Sequence, residues 1–566
     1  MLNWNYIKES LYRSFHKGLH YCRQFFDTTE RNRMWETYKD FLTTKRLIGR
    51  FIGQGNDYED TNKYFAVLSM TSVPMKAKFY SLLAKVMQFE GYSPVIINSV
   101  KARYAKKYFR LFGFNRYIEW EKSVNSSADK KEIDLFMSQI MPDELSMQTI
   151  KECLFREIPV GIYALSSACR RLKQFPTNLN MPFFKELFTI ILRNAIASVI
   201  FAERFFASYP VKKILIRDIG YVPNGCILDV ALRKNIDCLV VSSAQRLGCW
   251  TFKRYTKENY REHEFSISQQ DWNLIKNESL TDSMNVAIER EFKGRYMVNS
   301  DLDVRRLQYG KREMSPEEIR QRLGLNPSKK TVVIFAHISW DGAFFFGEDL
   351  FDNFDDWLLQ TTQCAIENTN LNWIVKLHPL NVLKHAYEGK KEFIESEMIF
   401  LQQLGSLPPH IKIMHSDTPI NSYSLFKIID YGITVRGTIG LELPCFGIPV
   451  LTAGTGRYEG RGFTIDSNSR QSYFSKLRSL HNIPPLDENA VRLARIHFYY
   501  LMLRRQVSFE DIAPMEVKAL NEAYSNLFDN IYIKASSLDD VKNARSLQAF
   551  VNWAHQPNQQ DFFGVT

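Results

Sequence analysis

Two stretches in the second half of this chain carry residues suited to holding a phosphate. The first, Asp430–Asp466 (DYGITVRGTIGLELPCFGIPVLTAGTGRYEGRGFTID), reads as a strand over Gly432–Val435, a turn at Arg436-Gly437 and a helix opening at Thr438. A strand over Pro449–Ala453 and a glycine-rich loop follow. Glycine lets backbone approach a ligand closely, and a helix start presents N–H groups with partial positive charge. Gly437, Thr438, Ile439 and Gly440 therefore form a candidate anion cradle. Glu442 falls in the first helical turn, where two readings stand: an acceptor for ribose hydroxyls, or an acid favoured by the helix dipole. The second stretch, Asn372–Pro379 (NWIVKLHP), is an apolar strand ending in Lys376, His378 and Pro379. Ligands of parallel sheets bind at such carboxyl ends, so Lys376 and His378 are expected to meet the phosphates cradled at 437–440. The plain alternative for His378 is a hydrogen-bonded residue closing a strand.

Group transfer from a bound nucleotide would make three chemical demands: a stabilised leaving phosphate, a held nucleotide and a proton acceptor for the incoming hydroxyl. Arg436 joins the phosphate set, with pairing to a nearby acid as its other reading. Tyr458 and Gly460, in GTGRYEGRG, are placed to close over the nucleotide unless that loop is an ordinary surface turn. Asp218, His337 and Asp341 each follow an expected strand and are the candidate catalytic groups. Asp341 equally suits a helix cap. Asp301-Leu302-Asp303 has the form of a cation-binding DxD but lies in a polar stretch with no strand before it, and reads as surface. No metal and no cofactor is expected, because a cationic cleft can neutralise phosphate.

Alternating strands and helices must position these groups. Tyr64–Met70, Ser93–Ser99, Lys212–Arg217 and Asp237–Ser242 read as strands in the first half, with helices at Lys76–Glu90 and Gly225–Lys234. Thr331–Ala336, Trp373–Leu377 and Ile411–Met414 continue the pattern in the second, with helices at Asp355–Asn368 and near Glu392–Leu404. This alternation implies an α/β fold of two Rossmann-like domains facing a cleft, with helical N- and C-terminal extensions. The expected units are 1–60 (helical), 61–325 (acceptor side), 326–480 (nucleotide side) and 481–566 (helices packing back on the first domain). Residues 244–330 read as polar and irregular, ending in a helix over Ser315–Leu323 with a capping signature.

At 566 residues the chain is too long for one core. Its 73 Lys+Arg against 62 Asp+Glu give +11, which points to acidic partners: nucleotide phosphates, anionic lipid or acidic glycans. Nucleic acid is not the expected partner, for want of a recognisable reading module, though a nucleic-acid binder stands as a third reading. Eight scattered cysteines without CxxC or zinc spacing suit reduced thiols in the cytoplasm. The start lacks a signal-peptide pattern, and Glu186–Phe206, with Arg193 and Glu203, reads as a buried helix rather than a membrane span.

Several segments together resemble the GT-B-like glycosyltransferases of bacterial surface polysaccharide assembly (capsule and lipopolysaccharide biosynthesis). PVGIYALSSACRR (Pro159–Arg171) is similar to a family segment with Gly161 retained and the tyrosine displaced to 163. In Ile214–Val241 the residues Tyr221, Gly225 and Ala231 match, while Asp218 stands where His or Asn is expected. Phe335–Thr361 resembles an H-x-x-x-D loop supplied by His337 and Asp341, and the Trp373–Pro379 and Thr434–Asp466 segments complete the order. The resemblance implies transfer of a sugar from a nucleotide donor, with CMP-linked acidic sugars among the family's donors. The implied acceptor is a glycan or lipid-linked precursor, met at the cytoplasmic face of the membrane with peripheral contact to anionic lipid. A nucleotide-sugar epimerase of the same fold and a non-catalytic glycan-binding protein are the rival readings.

Overall fold

The computed structural model describes residues 28–49, 62–141, 143–246, 248–297, 307–308, 310–340, 344–381, 395–516 and 530–564. Twelve of its strands build two sheets: β1 (Tyr64–Ser69), β2 (Ser93–Asn98), β3 (Tyr117–Glu119), β4 (Val211–Ile216), β5 (Asp237–Ser243), β6 (Cys249–Tyr255), β7 (Thr331–Phe335), β8 (Asn372–Lys376), β9 (Ile411–Met414), β10 (Tyr431–Thr434), β11 (Val450–Thr452) and β12 (Val507–Ser508). The first sheet runs β12-β6-β5-β4-β1-β2-β3 and the second β11-β10-β7-β8-β9. Pairing is parallel except at β6 and β12. Their central strands, such as FAVL and TVVIF, are buried on both faces because helices cover both sides, so they read as unbroken apolar runs. Two Rossmann-like halves of this kind make a GT-B-like α/β fold.

In each sheet the strand order reverses direction beside the first strand, between β1 and β4 and again between β7 and β10. Adjacent loops there leave in opposite directions, opening a crevice at the carboxyl ends. Asp218 follows β4, His337 follows β7 and Arg436-Gly437 follow β10, so these sequence candidates stand at the two switch points. Lys376 ends the neighbouring β8 and His378 follows it instead.

One expectation fails. The stretch 244–330 is not irregular: it contains β6 and the helices Gln269–Ile275 and Asp282–Tyr296. The strand CWTFKRY was hidden by its two cations, which are buried here because they are paired. Lys253 meets Glu262 at 2.8 Å and Asp561 at 3.2 Å, and Arg254 meets Asp237 at 2.7 Å. Arg254 also donates to the carbonyls of Trp553, Ala554, Gln556 and Gln559. β12 pairs with β6, and apolar residues between Val507 and Phe562 share the core of the first sheet.

The helix Pro182–Ser208 contains the expected Glu186–Phe206, with Arg193 and Arg204 paired to Asp134 and Asp129 at its surface. No helix among the described residues is long and apolar enough to cross a membrane. The two halves meet along a seam where Arg261 donates to the carbonyls of Phe345 (3.1 Å) and Gly347 (2.7 Å) and the His263 amide donates to the Gly456 carbonyl (2.6 Å). Phe345 and Phe346 are buried in the core of the first half.

Candidate functional site

At the second switch point the loop after β7 brings His337 against the end of β10. The Val435 amide donates to His337 Nε2 at 3.2 Å, and the Thr434 hydroxyl lies 2.9 Å from the same nitrogen. An imidazole nitrogen that accepts an N–H carries no proton, so the ring is neutral with its proton on Nδ1. Burial favours this state and, with Arg436 and Arg457 nearby, pushes the His337 pKa down to about 3. Phe354 lies across the ring with centroids 4.5 Å apart.

Arg436 is buried, 5% exposed, and ion-pairs with Asp349. Asp349 is held in place by a backbone bridge to Gly454. The remaining nitrogens of Arg436, Nε and Nη1, have no protein partner. Arg457, also buried, donates to the Arg436 carbonyl at 3.1 Å, which brings a second guanidinium to the turn. Leaving guanidinium donors unpaired in a buried site costs free energy that an anion would recover. Near this switch point a cavity of about 270 Å3 opens between the halves, lined on one side by Phe175, Met181 and Phe183 and on the other by Ser339 and Ile399.

The turn itself is more self-contained than the sequence suggests. The Gly437 amide donates to Thr434 Oγ1 (3.1 Å) and the Gly440 amide to the Gly437 carbonyl (3.0 Å). The glycines admit protein atoms: a Cβ on Gly440 would sit 2.0 Å from the Tyr458 hydroxyl, and one on Gly437 2.9 Å from Thr434 Oγ1. Tyr458 does not close over the cleft. It is 2% exposed beneath the turn and donates to the Gly437 carbonyl at 2.7 Å. Gly460 keeps open space around it with φ +67, as a loop residue should. Thr438 precedes and Ile439 begins the short helix Ile439–Glu442.

Glu442 is also turned inward, 2% exposed, with Arg295 at 3.0 Å and the Tyr296 hydroxyl donating to it. Those protein partners occupy the carboxylate that the sequence assigned to ribose. Glu442 acts on Lys376 as well. Burial, reinforced by Lys311, lowers the Lys376 pKa to about 7, and the charge of Glu442 opposes that fall. His378 is not brought onto the Gly437 turn; β7 separates β8 from β10, so His337 takes that place. The His378 Nδ1 accepts from the Leu380 amide at 3.1 Å, and its own amide donates to Glu397 at 3.2 Å. Asp341 and the Asp301–Asp303 pair lie outside the described residues.

At the first switch point Asp218 adopts φ +50, a conformation disfavoured for a residue with a side chain. It ion-pairs with Arg217 at 3.1 Å and approaches Arg170 at 3.7 Å. Burial works against its charge, but Arg217, Arg170 and Lys76 outweigh it and hold the carboxyl below its ordinary range. The sequence signal missed Arg457, Asp349 and Thr434. Arg457 stood beside the chosen Tyr458, and an arginine within a glycine-rich loop is a usable mark of anion binding.

The fold and both switch points thus define a GT-B-like pair of Rossmann-like halves. Residues 242–482 match the family described as "Capsule polysaccharide biosynthesis protein", which bears out the resemblance over the stretch holding the second switch point. Among solved structures the chain is similar to Thermosulfurimonas dismutans KpsC, beta Kdo 2,4 transferase, at 14% identity over 59% of this chain and 88% of that one, TM-score 0.32. It is similar to the beta Kdo 2,7 transferase of the same organism's KpsC at 14% identity over 61% and 88%, TM-score 0.30. The UDP-GlcNAc 2-epimerase from Neisseria meningitidis bound to UDP-GlcNAc aligns at 12% identity over 77% and 95%, TM-score 0.26. No curated protein matches the sequence.

Proposed function

We propose that this protein is a GT-B-type glycosyltransferase that moves a sugar from a nucleotide donor to a surface polysaccharide or its lipid-linked precursor. The observation that carries the reading is the buried Arg436 at the β7/β10 switch point, with two nitrogens unpaired beside a neutral His337 and a second arginine. In this reading Arg436, Arg457 and Lys376 neutralise the departing phosphate, and on that ground transfer is metal-independent. Thr438 and Ile439 line the phosphate site, with Gly437 and Gly440 shaping it; Tyr458 and Glu442 support it from beneath, and Gly460 forms its rim, with His378 standing apart beyond β8. His337 fixes the turn as a neutral acceptor. Asp218, facing from the first half, is the proposed proton acceptor; its depressed pKa keeps it ionised.

The division into units at 60, 325 and 480 belongs to the same proposal, with 61–325 receiving the acceptor. The surplus of positive charge favours an acidic donor such as a CMP-linked sugar. Exposed Trp35, Tyr38 and Leu42 beside Lys39, Lys45 and Arg46 favour peripheral contact with anionic lipid, and hence work at the inner membrane face.

A thermal-shift screen of CMP, UDP, GDP and dTDP tests the donor site, because a ligand bound only by the folded state raises stability. One nucleotide is expected to stand out. No response to any would overturn the proposal, and donor turnover without an acceptor would mark an epimerase instead.

A further inference from the structure

The first switch point contains more cationic and unpaired polar groups than a structural role explains. On one side of the sheet, Ser69 ends β1 and Arg217 follows β4. The register that sets Val67 against Leu215 brings Ser69 beside Arg217 two steps past the paired stretch. Ser69 and Tyr80 are each 1% exposed; the Ser69 hydroxyl has no hydrogen-bond partner, and the Tyr80 hydroxyl lies against the Arg217 guanidinium. Arg217 Nη1 is buried without a partner as well, its Nε facing Asp218. Such groups are costly to bury unless something satisfies them.

From the other side come Asp218, with its left-handed backbone, and Arg170, whose guanidinium lies 4.2 Å from the centre of the Tyr221 ring. Lys76 stands in the first turn of the helix Pro74–Phe89. Burial brings its pKa down to about 8, with Arg217 and Arg170 pushing the same way and Asp218 opposing. Among the described residues, three cations thus share the crevice with the carboxylates of Asp218 and Glu264.

We infer that this crevice binds a compact anionic group of the acceptor, a carboxylate or a phosphate, between Arg217, Arg170 and Lys76, with Ser69 and Tyr80 as neutral donors. The inference rests on the glycosyltransferase reading and adds the acceptor's chemical class. A ring held by its anionic substituent would present a hydroxyl next to Asp218. The cations that bind the anion are the same ones that keep Asp218 ionised.

Glucose, glucuronate and glucose 6-phosphate serve as probes, one ring bearing no charge, a carboxylate or a phosphate. Their affinities are measured by calorimetry on the wild type, Lys76→Gln/Arg170→Gln and Arg436→Met. A charged probe should bind the wild type and Arg436→Met alike and weaken about tenfold or more in the double variant, while glucose binds none. Binding of glucuronate alone marks an acidic sugar, and binding of glucose 6-phosphate alone marks a phosphate-bearing acceptor end. Equal binding of glucose, no binding of either anion, or full affinity in the double variant would overturn the inference. So would loss in Arg436→Met. Arg170→Gln alone, at a part-exposed position, covers the case in which the double variant does not fold, with a smaller loss expected in the same direction. Nucleotide affinity read in the same proteins separates the two proposals. If no nucleotide binds but the anion pattern holds, the donor reading falls and the anion site stands.

Discussion

Replacing His337 with glutamine should flatten the acid side of the stability profile. In the folded protein the imidazole accepts the Val435 amide and has its pKa lowered to about 3, against an ordinary value of 6.5. Between those values the unfolded chain binds a proton that the folded chain refuses, so stability falls as pH drops through that window. At ~1.4 kcal/mol per unit, a shift of that size has a ceiling of roughly 5 kcal/mol, and the ring's partial solvent contact makes about 2–3 kcal/mol the working figure. A glutamine carbonyl can still accept the amide but does not titrate. Urea denaturation of both proteins at about pH 7 and about pH 5 should show the wild type losing ~1–2 kcal/mol more than His337→Gln. His497 is buried and shifted the same way, but it is present in both proteins and cancels in the difference. Equal losses would refute the neutral, accepting imidazole.

Gly440→Ala should cost ~1–3 kcal/mol in a denaturation experiment, because its Cβ would stand 2.0 Å from the Tyr458 hydroxyl and 2.4 Å from the ring carbon bearing it. A native-like midpoint would mean that the turn has slack. Asp561→Asn removes the buried counter-charge from Arg505 at 3.3 Å and leaves Lys253 with Glu262, so a loss of about 3–5 kcal/mol is expected. Lys376, with its pKa lowered to about 7, is mostly neutral at slightly alkaline pH, and a bound phosphate should charge it. Nucleotide binding at about pH 8 should therefore take up a proton, read by calorimetry in buffers of different ionisation enthalpy, and Lys376→Met should abolish the uptake.

The strands at both switch points were legible because parallel strands covered on both faces read as plain apolar runs, and Ile411–Met414 falls where the sequence placed it. β6 was not, because Lys253 and Arg254 look like solvent-facing charges until Asp561 and Asp237 arrive from elsewhere in the chain. The same limit governed the site. Arg436, Gly437 and His337 were found from their places after strands, which local pattern reveals. What fills the space of Gly440 is Tyr458, and what occupies Glu442 is Arg295 and Tyr296, and these are contacts made by tertiary packing. The choice between His378 and His337 turned on strand order, with β7 lying between β8 and β10. Lys76, Arg170 and Arg217 lie in three separate segments, so nothing in any one of them announces a cluster.

Calorimetric titration of the best-binding nucleotide and of its parent nucleoside, on wild type and Arg436→Met, addresses the phosphate site most directly. Loss of the two buried donors of Arg436 should weaken the nucleotide by about 10–100-fold while leaving the nucleoside unchanged. Undiminished nucleotide affinity in Arg436→Met would contradict the assignment of the β7/β10 crevice to the donor's phosphates.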